Sequence, residues 1–267
     1  MPELPEVELV RRRLERSVLD RRIEKVTVLD LKRLDGTTLN QLQEGLVGKE
    51  FVKASRIGKQ LFLETGNGVM AVHLGLTGDV VVGRVGEDEP RFARLLVDLE
   101  DGSRLVFEDM RRFGRIGFAR DVDEIIERKG IGPDVMTVSS LRFADKVRRY
   151  RRAIKSVLLD QSVFSGVGNL YADEALFQAG IHPLAQASSL DVEEARKLHR
   201  DIKRVMSRSL SVESDFDALP KTYLLRNRRE GEKCPGIPGA RLKVIVVGGR
   251  TTVFCPAKQR LKQGKRG

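Results

Sequence analysis

Gln60-Leu61-Phe62-Leu63-Glu64, Val69-Met70-Ala71-Val72-His73-Leu74, Asp79-Val80-Val81-Val82, Leu95-Leu96-Val97-Asp98-Leu99 and Leu105-Val106-Phe107 succeed one another within residues 60–107. Each run is short and rich in aliphatic, β-branched or aromatic residues. Gly or Asp-Gly punctuation, as at Asp101-Gly102, separates many of them. A further run of the same kind covers residues 25–29. Short strands at this spacing predict a β-sandwich or barrel.

On the N-terminal side, Val7, Val10, Leu14 and Val18 recur at helical spacing, and Pro5 and Glu6 suit a first turn, so residues 6–18 read as a helix. On the C-terminal side, Ile131-Gly132-Pro133-Asp134 reads as a boundary. Residues 139–210 are helical in pattern and strongly basic. Two helical segments flank Ser165-Gly166-Val167-Gly168-Asn169, the second running from about 170 to 178, with Gly180 as its stop. Beyond Leu219-Pro220 a basic connector leads to a hairpin: residues 241–247, Gly248-Gly249, then residues 251–254. There is no internal repeat.

The chain has 267 residues, 40% hydrophobic and 33% charged, a foldable balance for about two domains. With 2 cysteines it has neither a disulfide framework nor a Cys-rich metal cluster. No apolar run reaches 18 residues, and Met1-Pro2-Glu3-Leu4-Pro5-Glu6 lacks the basic and apolar segments of a signal peptide. Membrane spans and secretion are therefore not expected, and a reducing, intracellular compartment is. The net charge is +11 and the pI about 9.9. Nucleic acid is the first partner this suggests, an anionic membrane face the second, and a generally basic protein the neutral alternative. Arg148, Arg149, Arg151, Arg152 and Lys155 crowd one stretch. Arg226, Arg228 and Arg229 form another, and Lys258, Arg260, Lys262, Lys265 and Arg266 end the chain.

Several residues could carry chemistry. Removal of Met1 before a small residue would leave Pro2 with a free secondary amine, partly neutral and nucleophilic near pH 8. Attack on a sugar C1′ would give an iminium, an electron sink, with Glu3 beside it as acid or base. Equally, Pro2 and Pro5 could only punctuate a helix start. Lys59, after Gly58, could reach a phosphate or donate a proton, or be a solvated charge. Gly166-Val167-Gly168-Asn169 exposes backbone N–H groups at a helix N-terminus, which favours phosphate but also fits an ordinary helix–helix turn. Arg111-Arg112-Phe113-Gly114 joins cation and aromatic on a loop, as a base-stack wedge would, though Phe113 also suits a core. His73 reads as structural. His182 and His199 have no metal-ligand spacing.

These pieces occur together in one family. The chain resembles the formamidopyrimidine-DNA glycosylase / endonuclease VIII family from end to end. Pro2-Glu3-Leu4-Pro5-Glu6-Val7-Glu8 is highly specific to that family's N-terminus. His73-Leu74-Gly75-Leu76-Thr77-Gly78, residues 109–114, residues 166–174 and Ala179-Gly180-Ile181-His182-Pro183 follow in order and spacing. The resemblance implies an α+β fold with three parts. These are an N-terminal β-sandwich catalytic domain (1–132), a helical helix–two-turn–helix DNA-binding domain (133–225), and a finger hairpin with a basic tail (226–267). DNA would lie in the cleft between the halves. Pro2 would be the nucleophile and Schiff-base former, Glu3 the proton donor and acceptor at the sugar, and Lys59 a proton donor and phosphate contact. Asn169 would bind phosphate. Arg250 would grip the phosphates flanking the lesion and assist the last elimination. Arg111 and Phe113 would face the orphaned base and wedge the stack, and Leu76 would fill the space of the extruded base. Arg151 and Lys155 join them as expected DNA contacts.

Three departures from the family pattern stand out. The usual finger carries four zinc-binding cysteines, but here Ile237 and Lys258 stand beside Cys234 and Cys255, as in the zincless, plant-like variant. No metal and no cofactor is therefore expected. A Cys234–Cys255 disulfide is disfavoured in a reducing cell, so two thiols are expected. Leu76 stands where many members carry methionine. Residues 213–229 are short for a loop that caps extruded 8-oxoguanine, which favours formamidopyrimidines and hydantoins, with 8-oxoguanine and oxidised pyrimidines as further candidates. The expected function is a bifunctional DNA glycosylase/AP lyase of base excision repair, a monomer acting on double-stranded DNA with damaged bases or abasic sites, in the cytoplasm with the nucleoid or in a nucleus. A non-catalytic binder of damaged DNA on the same fold is the alternative, and an RNA- or ribosome-binding protein a third class.

Overall fold

The computed structural model describes residues 2–261. The chain forms two compact units, one up to Gly130 and one from Ile131 onward. Lys262, Lys265 and Arg266 of the terminal basic run lie outside the described residues.

In the first unit, helix α1 (Leu4–Ser17) starts two residues ahead of the periodic stretch. Pro5 sits in its first turn, where a missing N–H costs nothing. Leu4, Val7, Val10 and Leu14 are its buried stripe. Then come β1 (Ile23–Val28), α2 (Leu39–Leu46), β2 (Lys53–Ile57), β3 (Gln60–Thr65), β4 (Gly68–His73), β5 (Gly78–Arg84), β6 (Ala93–Leu99), β7 (Ser103–Asp109), β8 (Arg115–Ala119) and α3 (Val122–Lys129). The strands make two four-stranded antiparallel sheets, ordered β1-β6-β7-β5 and β2-β3-β4-β8. Val26, Leu95, Val97, Leu105 and Phe107 of one sheet share a core with Leu61, Leu63, Met70, Val72 and Ile116 of the other. Alternation along β3 explains the layering: Leu61 and Leu63 face this core. Phe62, between them, packs with Val69, Ala71 and Ile125 on the other side, where α3 covers the sheet. The result is a β-sandwich, one of the two architectures expected from residues 60–107.

The second unit holds α4 (Ser140–Val147), α5 (Ile154–Leu159), α6 (Asn169–Ala179), α7 (Val192–Ser211) and a hairpin of β9 (Lys243–Val247) and β10 (Arg250–Phe254). Helix α6 stops at Gly180, whose φ of 75° is left-handed and suits a residue without Cβ. Asp191 and Glu194 form a capping box at the start of α7, which buries Leu198, Ile202, Val205 and Met206. The hairpin has no separate core. Phe177 of α6 and Leu224 cluster with Cys234, Leu242, Val253 and Cys255, so helices and finger share one compact unit across the 225/226 division read from sequence.

One expectation is corrected here. Cys234 and Cys255 are joined in a disulfide. The compartment argument considers only ambient redox conditions. The fold holds the two Cα atoms 6.0 Å apart, within bridging range, and buries both residues in the apolar cluster, where a reductant has poor access. No helix among the described residues is long and apolar enough to cross a membrane.

Candidate active site and DNA-facing residues

Pro2 directly precedes Glu3, the N-cap of α1, whose extended backbone has φ −109° and ψ −169°. The Glu3 N–H donates to Glu6 Oε2 at 2.8 Å, which fixes the entry into the helix. Glu3 is 0% exposed. A carboxylate so buried needs compensation, and the α1 N-terminus supplies partial positive charge there.

Lys59 sits on the tight turn between β2 and β3, where Gly58 has a φ of 57°. This turn is tied to α1 through Glu8. Its Oε2 accepts from Arg56 Nε of β2 at 3.0 Å, while Arg11 and Arg12 hold the same carboxylate from the helix side. Burial opposes ionisation of Glu8, but the three guanidiniums outweigh it and hold its carboxyl below the usual range. Across from Gln60 in the β3–β4 register lies His73. Burial first, then the positive charges of Lys129, Lys59 and Arg115, push its imidazole down to about 4. It is neutral at physiological pH, and its Nδ1 accepts the Gly75 N–H at 3.1 Å. This structural role fixes the start of the turn that carries Leu76.

Leu76 lies on the β4–β5 turn, and Arg111 and Phe113 on the β7–β8 turn. Arg111 is exposed and Phe113 is 50% exposed, with the Arg111 guanidinium 5.2 Å from the ring centroid. Phe113 is therefore no core residue. The two turns touch backbone to backbone: a Cβ on Gly75 would come within 2.6 Å of the Gly114 nitrogen. Leu76, Arg111 and Phe113 thus belong to one end of the sandwich.

In the second unit, Asn169 is the first residue of α6, after Gly168 in extended conformation. Its Nδ2 donates to the Thr251 carbonyl at 3.0 Å, which joins the helix N-terminus to β10 one residue after Arg250. Arg250 is exposed and follows Gly248-Gly249, whose φ values of 57° and 72° fit a two-residue hairpin turn. Arg151 is exposed in the connection between α4 and α5.

Lys155 requires correction. Expected on DNA, it is 0% exposed, with Nζ 2.6 Å from Asp173 Oδ1 and 2.7 Å from Thr252 Oγ1. Asp173 also accepts the Val253 N–H at 2.9 Å and is approached by Arg228. Lys155 cannot meet a phosphate from there. It fastens α5 and α6 to β10, and so holds the strand that carries Arg250. The neighbouring cations are also sorted: Arg148 donates to the Leu190 carbonyl, while Arg149, Arg151 and Arg152 are exposed, Arg152 pairing with Asp160.

The finger does not fit a structural zinc ion. A closed zinc site needs four ligands, commonly thiolates and imidazoles. Here the two sulfurs are bonded to each other, Ile237 packs in the apolar cluster, and the Lys258 ammonium sits 4.1 Å from the Phe177 ring centroid. Among the described residues no group of three or more His, Cys, Asp or Glu is placed to hold a metal.

Two family models match the chain: the formamidopyrimidine-DNA glycosylase N-terminal domain over residues 1–116 and the formamidopyrimidine-DNA glycosylase H2TH domain over residues 130–218. A formamidopyrimidine-DNA glycosylase of Arabidopsis thaliana is 35% identical, covering 98% of this chain and 71% of that protein. One from Thermus thermophilus is 37% identical over 97% of this chain and 98% of its own length. Among solved structures, the Lactococcus lactis Fpg in complex with abasic-site DNA superposes with a TM-score of 0.85 at 28% identity, covering 97% of this chain and all of that one. MutM in complex with DNA containing carbocyclic 8-oxo-G gives 0.87 at 30%, with the same coverage.

Proposed function

Because this chain belongs to the formamidopyrimidine-DNA glycosylase family, we propose that it is a bifunctional DNA glycosylase and AP lyase of base excision repair. Its substrate is double-stranded DNA carrying an oxidised base or an abasic site. The observation that carries the enzymatic reading is the fully buried Glu3 carboxylate set directly after Pro2 at the mouth of α1.

A stacked base cannot be attacked at its sugar carbon, so the nucleotide is flipped out at a cost of a few kcal/mol. Leu76, Arg111 and Phe113 occupy the vacated stack, and Asn169, Arg151 and Arg250 hold phosphates, which offsets the distortion. With Met1 removed, the Pro2 nitrogen attacks C1′. The C1′–N bond to the base breaks and the base leaves with its electron pair. Glu3 passes a proton at the sugar, assisted by Lys59, and the ring opens to an iminium on Pro2. The iminium acidifies C2′. Loss of that proton expels the 3′ phosphate, a second elimination expels the 5′ phosphate, and hydrolysis frees Pro2. The reaction needs no redox cofactor, because substitution, elimination and hydrolysis exchange no electrons with an outside partner: what one sugar carbon loses its neighbour gains. Work on chromosomal DNA puts the protein in the nucleoid-bearing cytoplasm or in a nucleus.

For lesion choice, residues 213–229 are the relevant segment. Their shortness carries the reading, and part of the segment is tied in place: Arg226 donates to the Leu219 carbonyl at 2.6 Å, and the Leu225 N–H donates to Glu174 of α6 at 2.8 Å. Formamidopyrimidines and hydantoins are therefore expected to leave faster than 8-oxoguanine in single-turnover cleavage of otherwise identical duplexes. Glu3→Gln should retain duplex binding and lose excision. A correctly processed protein that binds these duplexes and cleaves none of them is the non-catalytic binder instead. Faster release of 8-oxoguanine would reject the lesion assignment alone.

A further inference from the structure

Asp109 ends β7 and is 0% exposed, yet it has no place in the chemistry above. Its carboxylate is aimed into the narrow space between the β4–β5 and β7–β8 turns. Oδ1 accepts from Thr77 Oγ1 at 2.7 Å and from the Arg111 N–H at 3.2 Å, and Oδ2 accepts from the Gly114 N–H at 2.6 Å. Thr77 Oγ1 in turn accepts from the Arg111 N–H at 3.1 Å. Arg94 Nε donates to the Asp109 carbonyl at 3.0 Å and anchors the strand end behind it.

One carboxylate thus binds both ends of the Arg111–Phe113 turn and, through Thr77, the residue next to Leu76. Only a short acceptor at position 109 can do this. The two turns approach so closely that a Cβ on Gly75 would come within 2.6 Å of the Gly114 nitrogen, while a Cβ on Gly114 would press on the Phe107 ring and the His73 carbonyl. Within the β7–β8 turn, Arg112 is held left-handed with a φ of 58°, a conformation that needs outside support in a non-glycine residue. Arg33 donates to its carbonyl from the far side.

We infer that Asp109 and Thr77 form a clamp that locks the Leu76 turn and the Arg111–Phe113 turn into one preorganised wedge. They are positioning residues for base extrusion and for reading the orphaned base. The inference rests on the proposed wedge role of Leu76, Arg111 and Phe113. If those turns moved independently, each would have to be ordered during flipping. A clamp settles that ordering before DNA arrives. Its effect is therefore confined to substrates whose base must be pulled from a stack.

The test compares excision from a fully paired formamidopyrimidine duplex with cleavage of a single strand containing an abasic site, in wild type, Thr77→Val, Thr77→Ser and Phe113→Ala. Hydrogen bonds to a charged group contribute enough that Thr77→Val should lower the duplex-to-single-strand rate ratio by about 10- to 100-fold. Thr77→Ser keeps the hydroxyl and should restore the ratio. Asp109→Asn removes the charge and sets an amide NH2 against one of the donors held by the two oxygens, so it should lower the ratio at least as far as Thr77→Val. An unchanged ratio in Thr77→Val alongside a lowered one in Phe113→Ala overturns the clamp and leaves the wedge standing. Unchanged ratios in both overturn the wedge reading itself. An equal loss on both substrates, or no restoration by serine, makes Thr77 merely structural and also overturns the clamp.

Discussion

Breaking the Cys234–Cys255 bond should loosen the finger without disturbing the rest of the molecule. The two residues are 21 apart in sequence. Cross-linking a loop of that length removes unfolded-state entropy equivalent to about 3 kcal/mol. Besides the bonds of Lys155, Asn169 and Asp173 to β10, the remaining support is the apolar cluster around Phe177, Leu224, Leu242 and Val253, small for a hairpin that must hold Arg250 in place. Loss of about 3 kcal/mol multiplies the local opening constant roughly a hundredfold. Amide hydrogen exchange reads this directly. In Cys234→Ser/Cys255→Ser, or after full reduction, protection of the β9–β10 amides should fall by about that factor, while the sandwich amides of the first unit keep theirs. Duplex affinity should fall with it, since Arg250 loses its fixed position. Hairpin protection identical in oxidised, reduced and doubly substituted protein would refute the reasoning, and so would two titratable thiols in the native, unreduced chain.

Three further outcomes concern His73, Lys155 and Arg250. The folded pKa of His73, about 4, lies below its unfolded value of 6.5, so the unfolded chain takes up the proton first. Stability from this group is full above pH 6.5 and is lost as pH falls toward 4, by on the order of 3 kcal/mol. Denaturant unfolding at pH 7 and pH 5 should show the loss in wild type and less of it in His73→Gln. Lys155→Met removes one partner of a buried ion pair and should destabilise by about 3–5 kcal/mol while leaving the salt dependence of DNA binding unchanged. Arg250→Ala should do the reverse, reducing the slope of log affinity against log salt by about one with little effect on melting.

Much of this was legible in the chain. The short apolar runs at 60–107, cut by Gly and Asp-Gly turns, predict a sandwich or barrel because strands covered on both faces, as β3, β4 and β6 are, read as continuous β-rich stretches. The elements that sequence reading passed over lack that signal. Strand β2 is Lys53-Ala54-Ser55-Arg56-Ile57, an edge strand paired only with β3 and therefore free to be polar. Strand β8 is short and interrupted by Gly117, which leaves room for the Asp35 carbonyl, 3.0 Å from where a Cβ would lie. Helix α2 begins at a Thr38–Gln41 capping box, a local signal easily lost beside stronger β texture. Among the candidate site residues, Lys155 was misread because charge and neighbourhood say nothing about burial. Its partner Asp173 lies 18 residues on, and only the fold brings the two together. In sequence, Asp109 likewise reads only as the first residue of the 109–114 motif. Its function depends on Thr77, which reaches it by strand pairing at Gly78 and Asp109.

The central claim is that the Pro2 nitrogen attacks the sugar, and covalent trapping tests it most directly. Protein shown by intact mass to begin at Pro2 is mixed with a duplex containing an abasic site and reduced with borohydride, and the product is digested and mapped. The account predicts a stable protein–DNA adduct at one DNA per chain, with the modified peptide carrying the sugar remnant on the Pro2 nitrogen. Absence of any adduct from correctly processed protein, or an adduct mapped to Lys59 or another lysine instead, would contradict it.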